Sequence, residues 1–293
     1  MSLGKVSGGK LKASVVILTK NEEKHVERAV MSAKDFDEIL VIDSNSTDRT
    51  VELAEAAGAR VVQFTWDGKY PKKKEWSLPQ CTNDWVIYLD ADEYFTEDIV
   101  TEIRQVIVRA NASAIQVPLR YFWLGKELRH GHRVSKRIGM RRSCGYWPRP
   151  DDLHVKNMWE VEGHYQPQIS TGTVELLTSP LGHDDRDGLF DYFQRHNRYS
   201  DWEAQMLYDG DNASRQARSR LGRIATRLPF KGLVFFVYSY MVKAGFLDGR
   251  EGLHYALALS FYYWQIGIKV REIELQESRP ATERPSETEG SRR

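Results

Sequence analysis

The sequence predicts an α/β fold, a mostly parallel sheet flanked by helices, followed by a helical C-terminal region. Three observations predict it. Short β-branched runs alternate with helical stretches through the first third of the chain, three of those runs end in polar clusters, and the last third turns to aromatic and apolar stretches with basic flanks. The 293 residues, 28% charged and 11% aromatic, are enough to bury a full core.

Ser14 to Leu18 is an apolar β-branched run and reads as the first strand. Glu22 to Ser32 reads as a helix, and Ile39 to Ile42 as a second strand ending at Asp43. A second helix is expected to open at Ser46-Thr47-Asp48, where a hydroxyl cap and an early acid precede Val51, Leu53 and Ala54, and to stop at Gly58. Arg60 to Phe64 supplies a third strand and Trp85 to Leu89 a fourth. Alternation of this length makes βαβ units, and right-handed crossovers bring the strands' C-terminal ends to one edge. That edge would collect Thr19-Lys20-Asn21-Glu22, Asp43-Ser44-Asn45-Ser46 and Asp90-Ala91-Asp92-Glu93.

The last cluster places three carboxylates within four residues at the end of a rigid element, an arrangement suited to a hard divalent cation. The alternative is a surface turn opening a helix at Thr96-Glu97-Asp98. Together the three clusters offer what a nucleotide needs: acceptors for base and ribose, donors for phosphate, and a cation site. Read singly, Asn21, Ser44 and Ser46 are also ordinary turn and cap residues. No Gly-x-x-x-x-Gly-Lys-Ser/Thr loop and no Gly-x-Gly-x-x-Gly fingerprint is present, so the phosphates fall to a metal.

Val15-Val16-Ile17-Leu18-Thr19-Lys20-Asn21-Glu22-Glu23, Val41-Ile42-Asp43-Ser44-Asn45-Ser46-Thr47-Asp48-Arg49-Thr50 and Leu89-Asp90-Ala91-Asp92-Glu93 resemble, in this order, the successive signatures of family 2 glycosyltransferases. The subgroup it most resembles is that of the lipopolysaccharide-core β-glucosyltransferase-like enzymes, and the similarity runs from Ala13 to about Glu203. The resemblance implies a GT-A fold, which is Rossmann-like, a nucleotide-sugar donor that is most often a UDP-sugar, and inversion at the anomeric carbon. It implies that Thr19, Asn21, Glu22, Asp43 and Ser44 cradle uridine and ribose, that Asp90 lies near the ribose, and that Asp92 binds Mg²⁺ or Mn²⁺ on the diphosphate. His183, within Pro180-Leu181-Gly182-His183-Asp184-Asp185, matches a position where similar enzymes place a His near the metal.

Direct displacement needs a proton acceptor on one side of the sugar and stabilisation of a dianionic leaving group on the other. Lys74, in the run Lys72-Lys73-Lys74, is a candidate for the second task; for two of the three lysines a solvated charge run is the alternative. Glu162 is the favoured base and Glu160 the second choice, the two sharing a face if the segment is extended, with Gly163 allowing close approach. Related enzymes carry Val-His-Glu where this chain has Gly163-His164-Tyr165-Gln166, so both glutamates stay open, as does a salt bridge to Arg141 or Arg142. The aromatic and basic stretch from Tyr121 to Trp147 reads as an acceptor groove, a lid, or a sheet face.

The expected organisation is a flexible leader over 1–12, a catalytic domain over 13–210, an amphipathic helical membrane-interface region over 211–275 and a disordered tail over 276–293. Arg218, Arg220, Arg223, Arg227 and Lys231 interleave with Leu221, Ile224 and Leu228 at helical spacing, and the apolar runs that follow are too short to span a bilayer. Such helices suit the interface of an anionic leaflet; packing on the catalytic domain or on a second subunit, making a homo-oligomer, is the alternative. A net charge of +1 gives no drive toward nucleic acid, and an acidic strand edge opposes it. Two cysteines, Cys81 and Cys144, fit a reducing compartment.

These features predict a peripheral enzyme at the cytoplasmic face that extends a lipid-linked or lipopolysaccharide-type glycan. The alternatives are a polyprenyl-phosphate glycosyltransferase, whose acceptor needs no base, and a non-catalytic membrane-bound sugar-nucleotide binder. A nucleotidyltransferase is disfavoured because no Gly-rich, Arg-containing loop follows the first strand.

Overall fold

The computed structural model describes residues 9–155, 158–161, 166–183, 188–210 and 230–278. Glu162, Gly163, His164 and Tyr165, the basic segment carrying Arg218 to Arg227, and most of the expected leader and tail lie outside the described residues.

Thirteen described strands follow in order: β1 Leu11–Thr19, β2 Phe36–Asp43, β3 Arg60–Gln63, β4 Trp85–Asp90, β5 Glu93–Tyr94, β6 Ala114–Pro118, β7 Tyr121–Trp123, β8 Lys126–Leu128, β9 Ser135–Arg141, β10 Gly145–Tyr146, β11 Gln168–Ile169, β12 Val174–Leu176 and β13 Gly182–His183. Seven of them form one sheet in the order β12-β6-β9-β4-β1-β2-β3. All neighbours in it are parallel except β9, which runs antiparallel to both β4 and β6. β1 and β4 are buried along almost their whole length, as interior parallel strands covered on both faces must be.

The helices α1 Val26–Ser32, α2 Thr50–Ala56, α3 Lys73–Ser77 and α4 Glu97–Arg109 belong to the same compact unit as the sheet. Val26, Ala29 and Val30 of α1 and Ile99, Ile103 and Val106 of α4 join Val15, Ile17, Val41, Ile87 and Leu89 in one buried cluster. Each valine, leucine and isoleucine among them contributes about 1.5–3 kcal/mol when taken fully out of water. This is the mostly parallel α/β architecture that the alternating pattern predicts, and the GT-A type that the resemblance implies.

Two helix starts differ from expectation for one reason. The first helix begins at Val26, not Glu22, and the second at Thr50, not Ser46. The intervening residues use their polar groups on one another: Asn21, at φ 57°, donates its amide to Ser46 Oγ at 2.8 Å. Glu22 N donates to Thr50 Oγ1 at 2.7 Å, and Thr47 N to Asn21 Oδ1 at 2.9 Å. Side chains that read as helix caps lace two loops together instead.

The second compact unit contains α5 Leu189–Tyr208, α6 Lys231–Phe236 and α7 Gly249–Glu277, together with residues 130–132 and 150–155. A π-helical stretch, Val237–Val242, extends α6. Lys269 of α7 bonds the Asn197 carbonyl at 2.8 Å and Ser200 Oγ at 2.7 Å on α5, and His130 donates its amide to Asp248 at 2.7 Å. No described helix is long and apolar enough to cross a membrane.

Candidate functional site

The sheet register assembles the site. Thr19 stands opposite Asp43 and Leu18 opposite Asp90, so the ends of β1, β2 and β4 meet on one edge. The chain connects β1 to β2 on one side and β4 lies on the other, which makes β1 the point where an open α/β sheet leaves a ligand crevice. Thr19 Oγ1 donates to Asp43 Oδ1 at 2.8 Å, and Ser46 donates both its amide, at 2.8 Å, and its hydroxyl, at 2.5 Å, to the same carboxylate. Burial pushes Asp43 up, yet the Ser46 and Thr19 bonds outweigh it and hold the carboxyl below its ordinary range.

Lys73 reaches the same edge from α3. Its ammonium donates to the Thr19 carbonyl at 2.7 Å and to Ser44 Oγ at 2.6 Å, and lies 3.4 Å from Glu160 Oε1. Ser44 Oγ in turn donates to Glu160, and Lys73 N donates to the Glu160 carbonyl at 2.8 Å. Burial drives the Lys73 pKa down, with Glu160 opposing it. Glu160 is thus bound to the β1 and β2 ends, not to Arg141, which faces Asp84, or to Arg142, which bonds the Leu78 and Cys81 carbonyls. All three lysines of the 72–74 run are buried, which overturns the solvated-run alternative. Lys74 Nζ lies 5.5 Å from the Trp147 ring centroid. The Lys74 carbonyl accepts from Tyr88 OH at 3.0 Å, fixing the lysine segment against β4.

The third strand end is arranged differently. β9 runs antiparallel to β4, so its first residues arrive where β4 finishes. Lys136 there donates to Asp90 Oδ2 at 2.5 Å and to Glu93 Oε2 at 2.7 Å. Glu93 also accepts from the Asp90 amide at 3.0 Å. Burial pushes Asp90 up, but Lys136 and then Lys74 reverse it and hold the carboxyl far below the usual range. No described lysine or arginine hydrogen-bonds Asp92, and burial pushes its pKa up. Its Oδ2 lies 3.7 Å from His183 Nε2, beyond hydrogen-bonding reach. His183 is brought there by β13, which pairs with β5 so that His183 faces Glu93 and Gly182 faces Tyr94. A Cβ on Gly182 would sit 2.2 Å from the Tyr94 ring, so only glycine lets the two short strands approach.

The edge therefore gathers Thr19, Asn21, Glu22, Asp43, Ser44, Lys74, Asp90, Asp92 and His183, and adds Glu160 at the β1 and β2 ends. Reasoning from sequence did not single out Lys136. A lysine leading into a strand as buried as Ile138-Gly139-Met140 is the signal that could have found it. Gln166, where the related pattern has an acid, accepts the Arg137 amide at 2.5 Å and so clamps β9 beside Lys136.

Hydroxyls, amides and carboxylates gathered at the switch point of a mostly parallel sheet stand where open α/β enzymes bind nucleotides. Residues 14–168 match the family described as Glycosyl transferase family 2. An uncharacterized glycosyltransferase of Rickettsia typhi is 38% identical over 274 residues, covering 90% of this chain and 88% of that protein. The chain belongs to glycosyl transferase family 2 and takes its sugar from a nucleotide-sugar donor. A lipopolysaccharide core biosynthesis glycosyltransferase of Rhizobium meliloti is 36% identical over 89 residues, 29% of this chain and 33% of that protein. Among solved structures, glucosyl-3-phosphoglycerate synthase from Mycobacterium tuberculosis in complex with Mg²⁺ and uridine diphosphate is 26% identical over 36% of this chain and 43% of its own, with a TM-score of 0.31.

Proposed function

We propose that this chain is a divalent-cation-dependent, inverting glycosyltransferase that draws on a UDP-sugar and extends a lipid-linked or lipopolysaccharide-type glycan at the cytoplasmic face of a membrane. The observation that carries the donor half is the register-fixed meeting of Thr19, Asp43 and Asp90 at the sheet's switch point. Thr19, Asn21, Glu22, Asp43 and Ser44 hold uridine and ribose, Asp90 sits by the ribose, and Lys74 adds positive charge beside the diphosphate.

A divalent cation, Mg²⁺ or Mn²⁺, fits the remaining pair. The His183 Nδ1 is buried with no hydrogen-bond partner among the described residues, and its Nε2 faces a carboxylate too distant to bond. An imidazole left so is ready for a further partner, and carboxylate plus imidazole is a donor set that Mn²⁺ and Mg²⁺ accept. Asp92 and His183 would hold the ion, which when bound offsets the charge that develops on the departing diphosphate.

The proton acceptor falls to Glu162, because Glu160 is committed to Lys73 and Ser44. For the acceptor half, support comes from the exposed apolar surface of α6 and α7 and from the partial likeness to a lipopolysaccharide core enzyme. In this reading residues 13–210 act on the sugar and 211–275 meet the lipid surface.

The test is thermal stabilisation by a panel of nucleotide sugars with and without Mn²⁺, since a ligand at about 100 times its Kd adds about 2.7 kcal/mol to the folded state. A UDP-sugar with Mn²⁺ should stabilise more than either alone. No shift with any UDP-sugar would remove the donor assignment. Transfer that survives intact in the double variant Glu160→Gln, Glu162→Gln would favour a polyprenyl-phosphate acceptor, which needs no base.

A further inference from the structure

Asp90, Asp92, Glu93 and His183 lie close together at one strand end, yet no three His, Cys, Asp or Glu side chains among the described residues converge as a group able to hold a metal ion. Lys136 accounts for this. Its ammonium occupies an oxygen of Asp90 at 2.5 Å and an oxygen of Glu93 at 2.7 Å, and the Asp90 amide takes Glu93 as well. The lysine is itself fixed: the antiparallel course of β9 delivers it to the edge, and Gln166 holds the next residue's amide at 2.5 Å. Two of the three carboxylates are thereby satisfied inside the protein, whereas Asp92, unbonded to any described lysine, places its Oδ2 3.7 Å from His183 Nε2.

From this geometry we infer that Lys136 is a positioning residue that keeps Asp90 and Glu93 off the cation, leaving a deliberately incomplete metal site that closes only when the donor's diphosphate supplies further oxygens. The inference rests on the cation-dependent reading above. A site of two protein ligands binds a hard cation weakly, because affinity for such ions rises with the number of charged oxygens. Metal and nucleotide then bind as a unit, each raising the other's affinity by the same factor. Without Lys136 the two released carboxylates would join Asp92, and the free protein would take up the ion on its own.

The experiment is Mn²⁺ titration of the full chain, followed by electron paramagnetic resonance, with and without UDP. Wild type should bind Mn²⁺ weakly alone and at least about tenfold more tightly with UDP. Lys136→Gln should bind Mn²⁺ at least about tenfold more tightly without UDP, with the enhancement by UDP correspondingly reduced, while Lys136→Arg behaves as wild type. The glutamine variant leaves two acids without their cation, so the double variant Glu93→Gln, Lys136→Gln, which removes one charge of each sign, is measured beside Glu93→Gln alone. It should bind Mn²⁺ more tightly than that single variant. Folded Lys136→Gln variants, single and double, whose Mn²⁺ affinity without UDP matches that of their parents overturn the inference while leaving the metal reading in place. A wild type that binds no Mn²⁺ even with UDP overturns the metal reading and the inference with it.

Discussion

Asp92 differs from its neighbours because no described lysine or arginine hydrogen-bonds its carboxylate. Lys136 serves Asp90 and Glu93, whereas Asp92 is left facing an imidazole at 3.7 Å. Asp92→Asn keeps the shape and removes the charge. Turnover should fall by about 10²–10³, the usual loss for one pre-placed electrostatic group. Stability should stay within about 0.5 kcal/mol, since no buried bond is broken. Steady-state kinetics beside a melting curve separates these, and a folded variant with full activity would end the assignment. Lys73 is the opposite case, a buried ammonium with three oxygen partners. Lys73→Met should destabilise by about 3–5 kcal/mol, because Glu160 loses its counter-charge and buried Ser44 and the Thr19 carbonyl lose their donor. Urea denaturation that shows under 1 kcal/mol, by the order of magnitude of an exposed pair, would mean the network adds nothing to stability. These two residues also mark what a sequence reveals. Asp90, Asp92 and Glu93 are adjacent in the chain and end an apolar run, so their meeting is local. Lys73 and Glu160 stand 87 positions apart, and Lys136 and Asp90 46. Only the folded sheet joins them, and no periodicity carries that information.

At the scale of elements, β1, β2 and β4 were legible because buried parallel strands read as β-branched runs bounded by polar residues, and the half-exposed edge strand β3 because Val61-Val62 is a β-branched pair after the Gly58 stop. The antiparallel insertion of β9 was not, since nothing in an apolar strand states its direction. Helix starts failed where hydroxyl and amide side chains had a choice of partner. Ser46 and Asp48 have the chemistry of caps, but Ser46 bonds Asp43 and Asp48 accepts from Thr50. This lacing has a pH consequence. The Asp43 carboxyl, ordinarily near 3.8, is lowered in the folded state: burial raises it, and the Ser46 and Thr19 bonds lower it further. A depressed carboxyl contributes stability that is present above its unfolded value and is lost as pH falls through its folded value. Glu38, also lowered, has the same sign: burial raises it, and bonds from Ser14, Thr82 and Arg60 outweigh that. The melting temperature should therefore drop as pH is taken from 5 towards 3, a window of about two units around the ordinary carboxylate values. Asp43→Asn should be less stable at neutral pH and lose less over that window. Parallel acid profiles for the two proteins would show that Asp43 does not tie the β1 and β2 ends together.

At the scale of the whole chain, the helical unit exposes apolar surface that its own packing does not use. On α7, Tyr255, Leu259, Tyr262 and Ile266 are buried, while Leu257, Phe261, Trp264 and Ile268 recur at helical spacing and are 45–53% exposed. The helix is apolar on both faces, and no Asp, Glu, Lys or Arg occurs between Glu251 and Lys269. A helix of this kind is stable only if the second face meets something other than water. Before it, Phe230, Leu233, Met241 and Val242 are each more than half exposed, and the exposed charges among residues 230–250 are the cations Lys243 and Arg250. Aromatic and aliphatic side chains with a basic rim match the interface of an anionic leaflet, and the helices are too short in apolar length to cross it. The protein should co-sediment with vesicles that contain anionic lipid and far less with neutral ones. Added salt should weaken that binding without abolishing it, because screening removes the charge contribution and leaves the apolar one. The variant Phe261→Ser, Trp264→Ser should lose binding by at least about tenfold, since each ring withdrawn from the interface forfeits on the order of 1 kcal/mol or more. Its melting temperature should hold, because the two rings are about half exposed in the folded unit. A second copy of the chain covering the same face predicts otherwise: dimers in solution that the serine variant splits into monomers, and no preference for vesicles of either composition.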